Sequence, residues 1–551
     1  MLNILFFFIC YFLILISIIG YGFLIVSKEK KYFSIGFLGL KGLFVLIIFS
    51  YFSNFITPHN LIHNSIILII GILLFIYNYK NKINIKKKNN SFIILSIIVL
   101  FLGILVEKNH DDFFYYHFGY TLSLVNFSKI IGIGHLEHGF RTPSSIFYLN
   151  SLFYLPKIKY FMMHTGAIYF MAFSNIYLIE KIFYKEKLNK NLFIIFLSLF
   201  SLIFVNTVFT RVSEHGTDRS ALILILLLSI IFLENINSKL KDFKFFKKNY
   251  EEILIILFLI ISLKSFYLIY LIFLLFFLYK NKYVIQNFLN IKKILTNKIT
   301  LLFSFGILLI FLTSLLNTGC LIYPASFTCF ESLSWTINKE DVSNMKSWYE
   351  LWSKAGANPN YRVENPLIYI QNFNWVSNWF SNYFFNKVSD FILVLLLISI
   401  VMILVFYGKK KRKVKINIIL FLSLIIVLFI EWFFNHPSLR YGGYTIVALL
   451  FFVPLSFYLS KNSVLHNLNK KLSILIFLSL AIFSTKNIFR IIDENSKYKY
   501  NPIIYPFYSL NQNSFIYDKR LKELQKYNNN YQNKKMLIIN QELLKSSDTK
   551  K

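Results

Sequence analysis

The chain has 551 residues, of which 56% are hydrophobic and 19% aromatic, and its mean hydropathy is +0.56. That apolar share exceeds what soluble globular domains carry, which excludes an ordinary soluble enzyme. The formal net charge of +33 does not mark a nucleic-acid binder either, because most lysines sit in short clusters between apolar runs, the pattern of cytoplasmic loops in a polytopic membrane protein.

The first run, LNILFFFICYFLILISIIGYGFLIV, lacks a basic leader and a small-residue cleavage site. It predicts a transmembrane helix over 2–26 rather than a cleaved signal peptide. Further spans are predicted at 34–57, 61–79, 91–106, 158–180, 192–210, 219–235, 299–318, 389–407, 416–434, 443–460 and 473–490. The run 252–280, interrupted by Ser262, Lys264 and Ser265, predicts a hairpin of two short helices. The expected fold is an all-α polytopic membrane protein: a bundle of about 12–14 transmembrane helices with outer-face loops and a small outer cap.

Basic clusters at 28–31, 80–88, 181–190, 239–248, 280–298, 409–415 and 461–471 all fall in the cytoplasm if the N-terminus starts outside. The chain then divides into N-terminal helices (1–90), a core module (91–318) with an acidic outer loop at 107–157, an outer cap (319–388), C-terminal helices (389–490) and a polar outer tail (491–551). In the tail a short amphipathic helix near 519–527 and a strand at MLIIN compete with disorder. Cys10 lies in the first helix, whereas Cys320 and Cys329 share an outer loop, where an oxidising compartment favours a disulfide over two free thiols.

The acidic loop opens NHDDFFYYHFGY (109–120). Phe114, Phe118, Leu122 and Val125 recur at helical spacing and predict a helix lying on the outer membrane surface with an aromatic anchor. Asp111 and Asp112 project about 100° apart if both are helical, and at a helix start they would serve as a capping pair. With His110, Tyr115 and His117 beside them, one carboxylate could instead act as general base toward a hydroxyl or amine, or hold a divalent cation against a phosphate.

Asp111, Asp112 and Tyr115, in an outer loop after an early transmembrane helix, resemble the loop of GT-C-fold glycosyltransferases that use polyprenyl-phosphate sugars. FRTPSSIFYLNSLF (140–153), TGCLIYP (318–324) and NHPSLRYGGY (435–444) are similar to outer-loop segments of bacterial membrane proteins assigned to that superfamily. The resemblance implies a catalytic base at Asp111 with Asp112 in the second acid's place. It departs from the pattern in having three helices ahead of the acidic loop, where one is expected.

RVSEHGTDR (211–219) packs Arg211, Glu214, His215, Asp218 and Arg219 into what reads as one turn between two helices. It is either a solvated charge run or a binder of phosphate. Arg440, beside Gly442-Gly443, Lys264 at the hairpin turn, Arg141 and Tyr323 are the other candidates for contacting a lipid phosphate or supporting the site; an exposed turn or a snorkelling side chain is the alternative for each cation. The histidines form no zincin-like motif, and there is no P-loop, Rossmann glycine signature, G-x-S-x-G elbow or CxxC.

The expected activity is transfer of a sugar from a polyprenyl-phosphate donor to a lipid, glycan or protein acceptor of the cell envelope, on the outer face of a bacterial inner membrane. Nucleic acid is not an expected partner. No cofactor is required beyond a divalent metal ion that the acids could hold. An O-antigen polymerase or ligase, or a lipid or polysaccharide transporter, is the alternative; a transporter would carry internal repeats and mid-membrane polar groups.

Overall fold

The computed structural model describes residues 2–26, 34–82, 90–108, 112–183, 191–237, 243–285, 288–357, 363–408, 416–462, 467–508, 522–526 and 529–530. Among them the chain is helical, with no strand beyond two isolated bridge pairs. The N-terminal helices are α1 (Leu2–Gly22), α2 (Ile35–Ile56), α3 (Leu61–Lys82) and α4 (Asn90–Phe101). Then follow α5 (Phe118–Asn126), α6 (Ser145–Ser151), α7 (Gly166–Phe183), α8 (Leu192–Val208), α9 (Val212–Ile236), α10 (Phe243–Leu263), α11 (Leu271–Lys280), α12 (Lys282–Ile285), α13 (Phe288–Leu295) and α14 (Lys298–Thr318). The cap carries α15 (Lys339–Lys354), α16 (Pro366–Ile370) and α17 (Val376–Trp379), and the chain continues through α18 (Ser389–Phe406), α19 (Ile419–Asn435), α20 (Gly443–Ser460) and α21 (Leu468–Tyr498).

Among the described residues eight helical segments are long and apolar enough to cross a membrane: α1, α2, α3, the part of α9 from Gly216, α14, the run from Val376 through α18, α20 and α21. Shorter apolar helices at Ser91–Phe101, Leu192–Val208, Ser265–Lys280 and Ile419–Asn435 accompany them. The protein is an all-α, multi-pass membrane protein.

Which helix is central follows from its composition. Every residue of α9 from Ala221 to Leu228 is apolar and fully buried, and a helix that is apolar all round must be covered on all sides. α7, α8, α10 and α20 supply that cover. By contrast α3, α14 and α18 leave Ile62, Leu73, Leu301, Leu308, Leu397 and Leu404 exposed, the stripe that hydrocarbon would solvate.

Four expectations change. α4 stops at Phe101, short of the span read to 106. The 252–280 hairpin is unequal: α10 has 21 residues, and after a turn at Lys264 a 3-10 stretch, Ser265–Tyr270, leads into α11. RVSEHGTDR is not a turn, because α9 begins at Val212 and takes Glu214 and Asp218 into its first turns. The aromatics of the acidic loop are not a lipid anchor alone: Phe113, Phe114, Phe118, Leu122 and Val125 close a small core with Met163 and Tyr508.

The cap at 319–388 is folded. Cys320 and Cys329 are disulfide-bonded and share a core with Tyr323, Ile337 and Val342, while Trp375, Trp379 and Tyr383 join the main core. In the tail, 499–508 folds back so that Tyr508 donates to the Tyr160 carbonyl at 2.8 Å. Residues 522–526 are helical; the MLIIN segment lies outside the described residues, as do His110 and Asp111.

Candidate functional site

The polar groups converge at the N-terminal end of the central helix α9. Its first turns present Glu214 and Asp218 one turn apart, both with side chains nearly inaccessible to solvent. Carboxylates are favourable at a helix start because the free N–H groups there carry partial positive charge. A buried carboxylate also needs partners, and each acid here has cations beside it.

Glu214 pairs with Arg211 at 2.7 Å and draws on the field of Lys108, whose ammonium donates to the Ser213 carbonyl and lies 4.4 Å over the Phe113 ring. Burial drives Lys108 down to about 7, although Glu214 pulls it upward; Arg490 lowers it further and Glu494 opposes that. Asp218 accepts from Lys264 at 3.1 Å and from Arg440 Nε at 3.0 Å, and the Tyr267 hydroxyl lies 3.4 Å from the same carboxylate. The Lys264 ammonium stands 4.4 Å over the Tyr441 ring, and the Arg440 guanidinium 5.2 Å over Trp352 of the cap. Gly442, at φ +113°, adopts a backbone that a side chain would strain, and so lets the chain turn sharply after Arg440 into α20.

Arg219 makes no hydrogen bond or ion pair among the described residues, while Glu214, Arg211, Arg440 and Tyr444 all lie within its electrostatic reach. Arg211, Arg219, Lys264 and Arg440 therefore surround two carboxylates with an excess of positive charge. The acids expected as supporting groups hold Arg211, Lys264 and Arg440 in place.

The acidic loop faces this cluster. Asp112 stands at the head of a π-helical turn, Phe113–His117, and makes no capping hydrogen bond through its side chain, so the capping role read for it is not seen. Tyr116 lies between the two halves, within electrostatic reach of Asp112, Arg440, Asp218 and Tyr441, and burial raises its hydroxyl well above the usual range. Gly139 makes room for it: a Cβ there would lie 2.4 Å from the Tyr116 ring. His117 packs between Tyr116 and Phe147. Asp111 and His110 lie outside the described residues, as does the side chain of His215.

Beside the cluster, a narrow cleft of about 20 Å3, the size of roughly one water, is lined by Arg141, Lys264, Ser265 and Tyr323 together with Ile261, Ile310, Phe311 and Leu321. Arg141 Nη1 reaches the Tyr323 hydroxyl at 3.5 Å and its Nε donates to the Gly134 carbonyl at 3.0 Å. Three candidates scattered over the sequence, Arg141, Lys264 and Tyr323, thus share one cleft with apolar side chains. Among the described residues no group of three or more His, Cys, Asp or Glu side chains is placed to hold a metal ion, and His135 instead bonds the Trp335 carbonyl at 2.9 Å.

The sequence profile of a family described as domain of unknown function (DUF8201) matches residues 1–447. The chain belongs to that family. No curated protein and no solved structure matches it. The DUF8201 match takes in the acidic loop, the start of α9, Lys264, the cap and Arg440, so the converging groups lie inside the region that defines the family.

Sequence reasoning missed Lys108, Tyr116, Trp352 and Tyr441. Trp348 and Trp352 carried a usable signal, four residues apart on a polar helix. Lys108 and Tyr116 had none, since their roles depend on α9 and the π-helical turn Phe113–His117 being brought together by the fold.

Proposed function

We propose that this protein is a membrane glycosyltransferase that moves a sugar from a polyprenyl-phosphate donor to a cell-envelope acceptor on the outer face of a bacterial plasma membrane. The observation that carries the reading is the excess of cations around Glu214 and Asp218 next to a cleft whose lining combines Arg141 and Lys264 with Ile261, Ile310, Phe311 and Leu321. That is the chemistry of a phosphate joined to a hydrocarbon tail. Arg219, with no carboxylate partner among the described residues, would take phosphate charge, with Arg440 within its electrostatic reach and Lys264 on the wall of the cleft.

In this reading Asp111 takes the proton of an acceptor hydroxyl as its oxygen attacks the anomeric carbon. The bond from that carbon to the phosphate oxygen breaks, and polyprenyl phosphate leaves with the bonding electrons. Attack from the opposite side inverts the anomeric centre, and no nucleotide site is needed because the lipid phosphate is the leaving group. The outward orientation is supported by the disulfide of the cap and by the lysine-rich stretch 239–248, which follows the other end of α9.

Lipid-linked sugars and envelope glycans extracted with and without the protein test the proposal. Accumulation of one polyprenyl-phosphate sugar is expected, and Asp111→Asn should reproduce it with a loss of transfer of about 100-fold or more. Unchanged glycans and unchanged lipid-linked sugars in the deletion would sink the reading.

A further inference from the structure

We infer that the surface between the acidic loop and the cap helix is a saccharide-binding subsite, built on Tyr115, His138 and Trp348, which makes the acceptor a glycan. The inference rests on the glycosyl-transfer reading for its place in a reaction, but not for the binding itself.

Three rings follow one another across two elements that are far apart in the chain. Tyr115 and His138 have ring centroids 6.1 Å apart, and His138 and Trp348 6.3 Å apart. Tyr115 is 43% exposed and Trp348 42% exposed, so much of each ring is open to a ligand. Trp352, one turn beyond Trp348 on α15, lies 6.0 Å from Tyr441 and beneath the Arg440 guanidinium. The aromatic line therefore leads from the acidic loop to the cation cluster.

Exposed rings at a membrane protein's outer face commonly sit in lipid headgroups, and the company Trp348 keeps argues against that here. Its helix also exposes Lys339, Glu340, Asp341, Ser343, Asn344 and Lys346, a surface that stands in water. The other large exposed apolar side chains of the cap lie off this helix, Phe327, Phe330, Leu367, Ile368, Phe373 and Phe385 among them.

A pyranose has an apolar face of C–H groups that packs on an aromatic ring, and a rim of hydroxyls that need hydrogen-bonding partners. Both are present. Glu137 Oε1 lies 3.7 Å from His138 Nδ1, so a carboxylate and an imidazole lie close to the Tyr115 ring and its phenol. Neighbouring Tyr116, whose ring is 6.1 Å from that of Tyr115, lies within electrostatic reach of Asp112. A sugar stacked on Tyr115 would thus bring a hydroxyl toward Asp112.

The test applies detergent-purified full-length protein to an array of mono- to tetrasaccharides. Binding to at least one saccharide is expected, weakened tenfold or more in Trp348→Ala and within threefold in Trp348→Phe, with thermal unfolding unchanged in both. An array on which the wild type binds nothing, or on which Trp348→Ala binds as well as the wild type, overturns the inference. So does quenching of the Trp348 fluorescence, measured as the difference between wild type and Trp348→Phe, by brominated phospholipid in nanodiscs. Trp348-dependent binding without transfer from any polyprenyl-phosphate sugar sinks the enzymatic reading and leaves the subsite; transfer with an acceptor KM unaltered in Trp348→Ala does the reverse.

Discussion

Asp218 and Arg440 are 222 positions apart in the chain and meet at 3.0 Å between Oδ2 and Nε. The contact ties the N-terminal end of the central helix to the loop ahead of α20, and Lys264 shares the same carboxylate.

Asp218→Asn is expected to lower stability by roughly 1–3 kcal/mol, because two cations lose their counter-ion while the Arg440 guanidinium stays partly hydrated. Thermal unfolding in detergent measures it. Combining Asp218→Asn with Lys264→Met should restore part of the loss, and a double variant as unstable as the sum of the single changes would refute the shared-carboxylate account.

Arg219→Met should leave unfolding nearly unchanged, since this guanidinium holds no acid among the described residues. Its affinity for polyprenyl phosphate, followed by native mass spectrometry, should fall about tenfold, the scale of one charge-assisted hydrogen bond. An equal fall in Arg211→Met, whose charge is spent on Glu214 at 2.7 Å, would argue against a special role for Arg219.

Lys108 predicts a pH dependence. Burial lowers it from 10.5 to about 7 in the folded protein. Above about 7 the folded state has released a proton that the unfolded chain keeps to about 10.5, so stability rises with pH in that window by up to about 1.4 kcal/mol per unit. Below it both states are protonated and the effect is flat. Lys108→Met should remove the rise between pH 7 and 9.5, read as the difference in Tm between variant and wild type.

Cys320 and Cys329 are nine positions apart, and closing a loop of that length stabilises by about 2–3 kcal/mol on the chain-entropy account. The Cys320→Ser, Cys329→Ser double variant should therefore melt earlier, and dithiothreitol should lower the wild type toward it while leaving the variant unmoved. Under denaturing conditions without reductant, a maleimide should label Cys10 alone.

What could be read from the sequence was local. Apolar runs bounded by lysine clusters located most of the helices, and Cys320, Cys329, Arg141, Lys264, Tyr323 and Arg440 could be picked out by type and position. What escaped depended on distant partners. The stretch 211–219 looks like a solvated turn until Arg440 and Lys264 arrive to neutralise Asp218, after which its acids can be buried in a helix. Likewise Phe113 and Phe114 read as lipid-facing because what covers them, Met163 and Tyr508, lies far along the chain.

That last contact orders the assembly of the molecule. Phe113 has its ring 5.6 Å from that of Tyr508, and Phe507 stacks on Phe161 at 4.4 Å. During synthesis the acidic loop leaves the membrane-insertion machinery hundreds of residues before Tyr508 does. Its floor is completed only once α21 and Tyr508 are in place, so a chain still being made holds the loop without its final support until those residues have emerged.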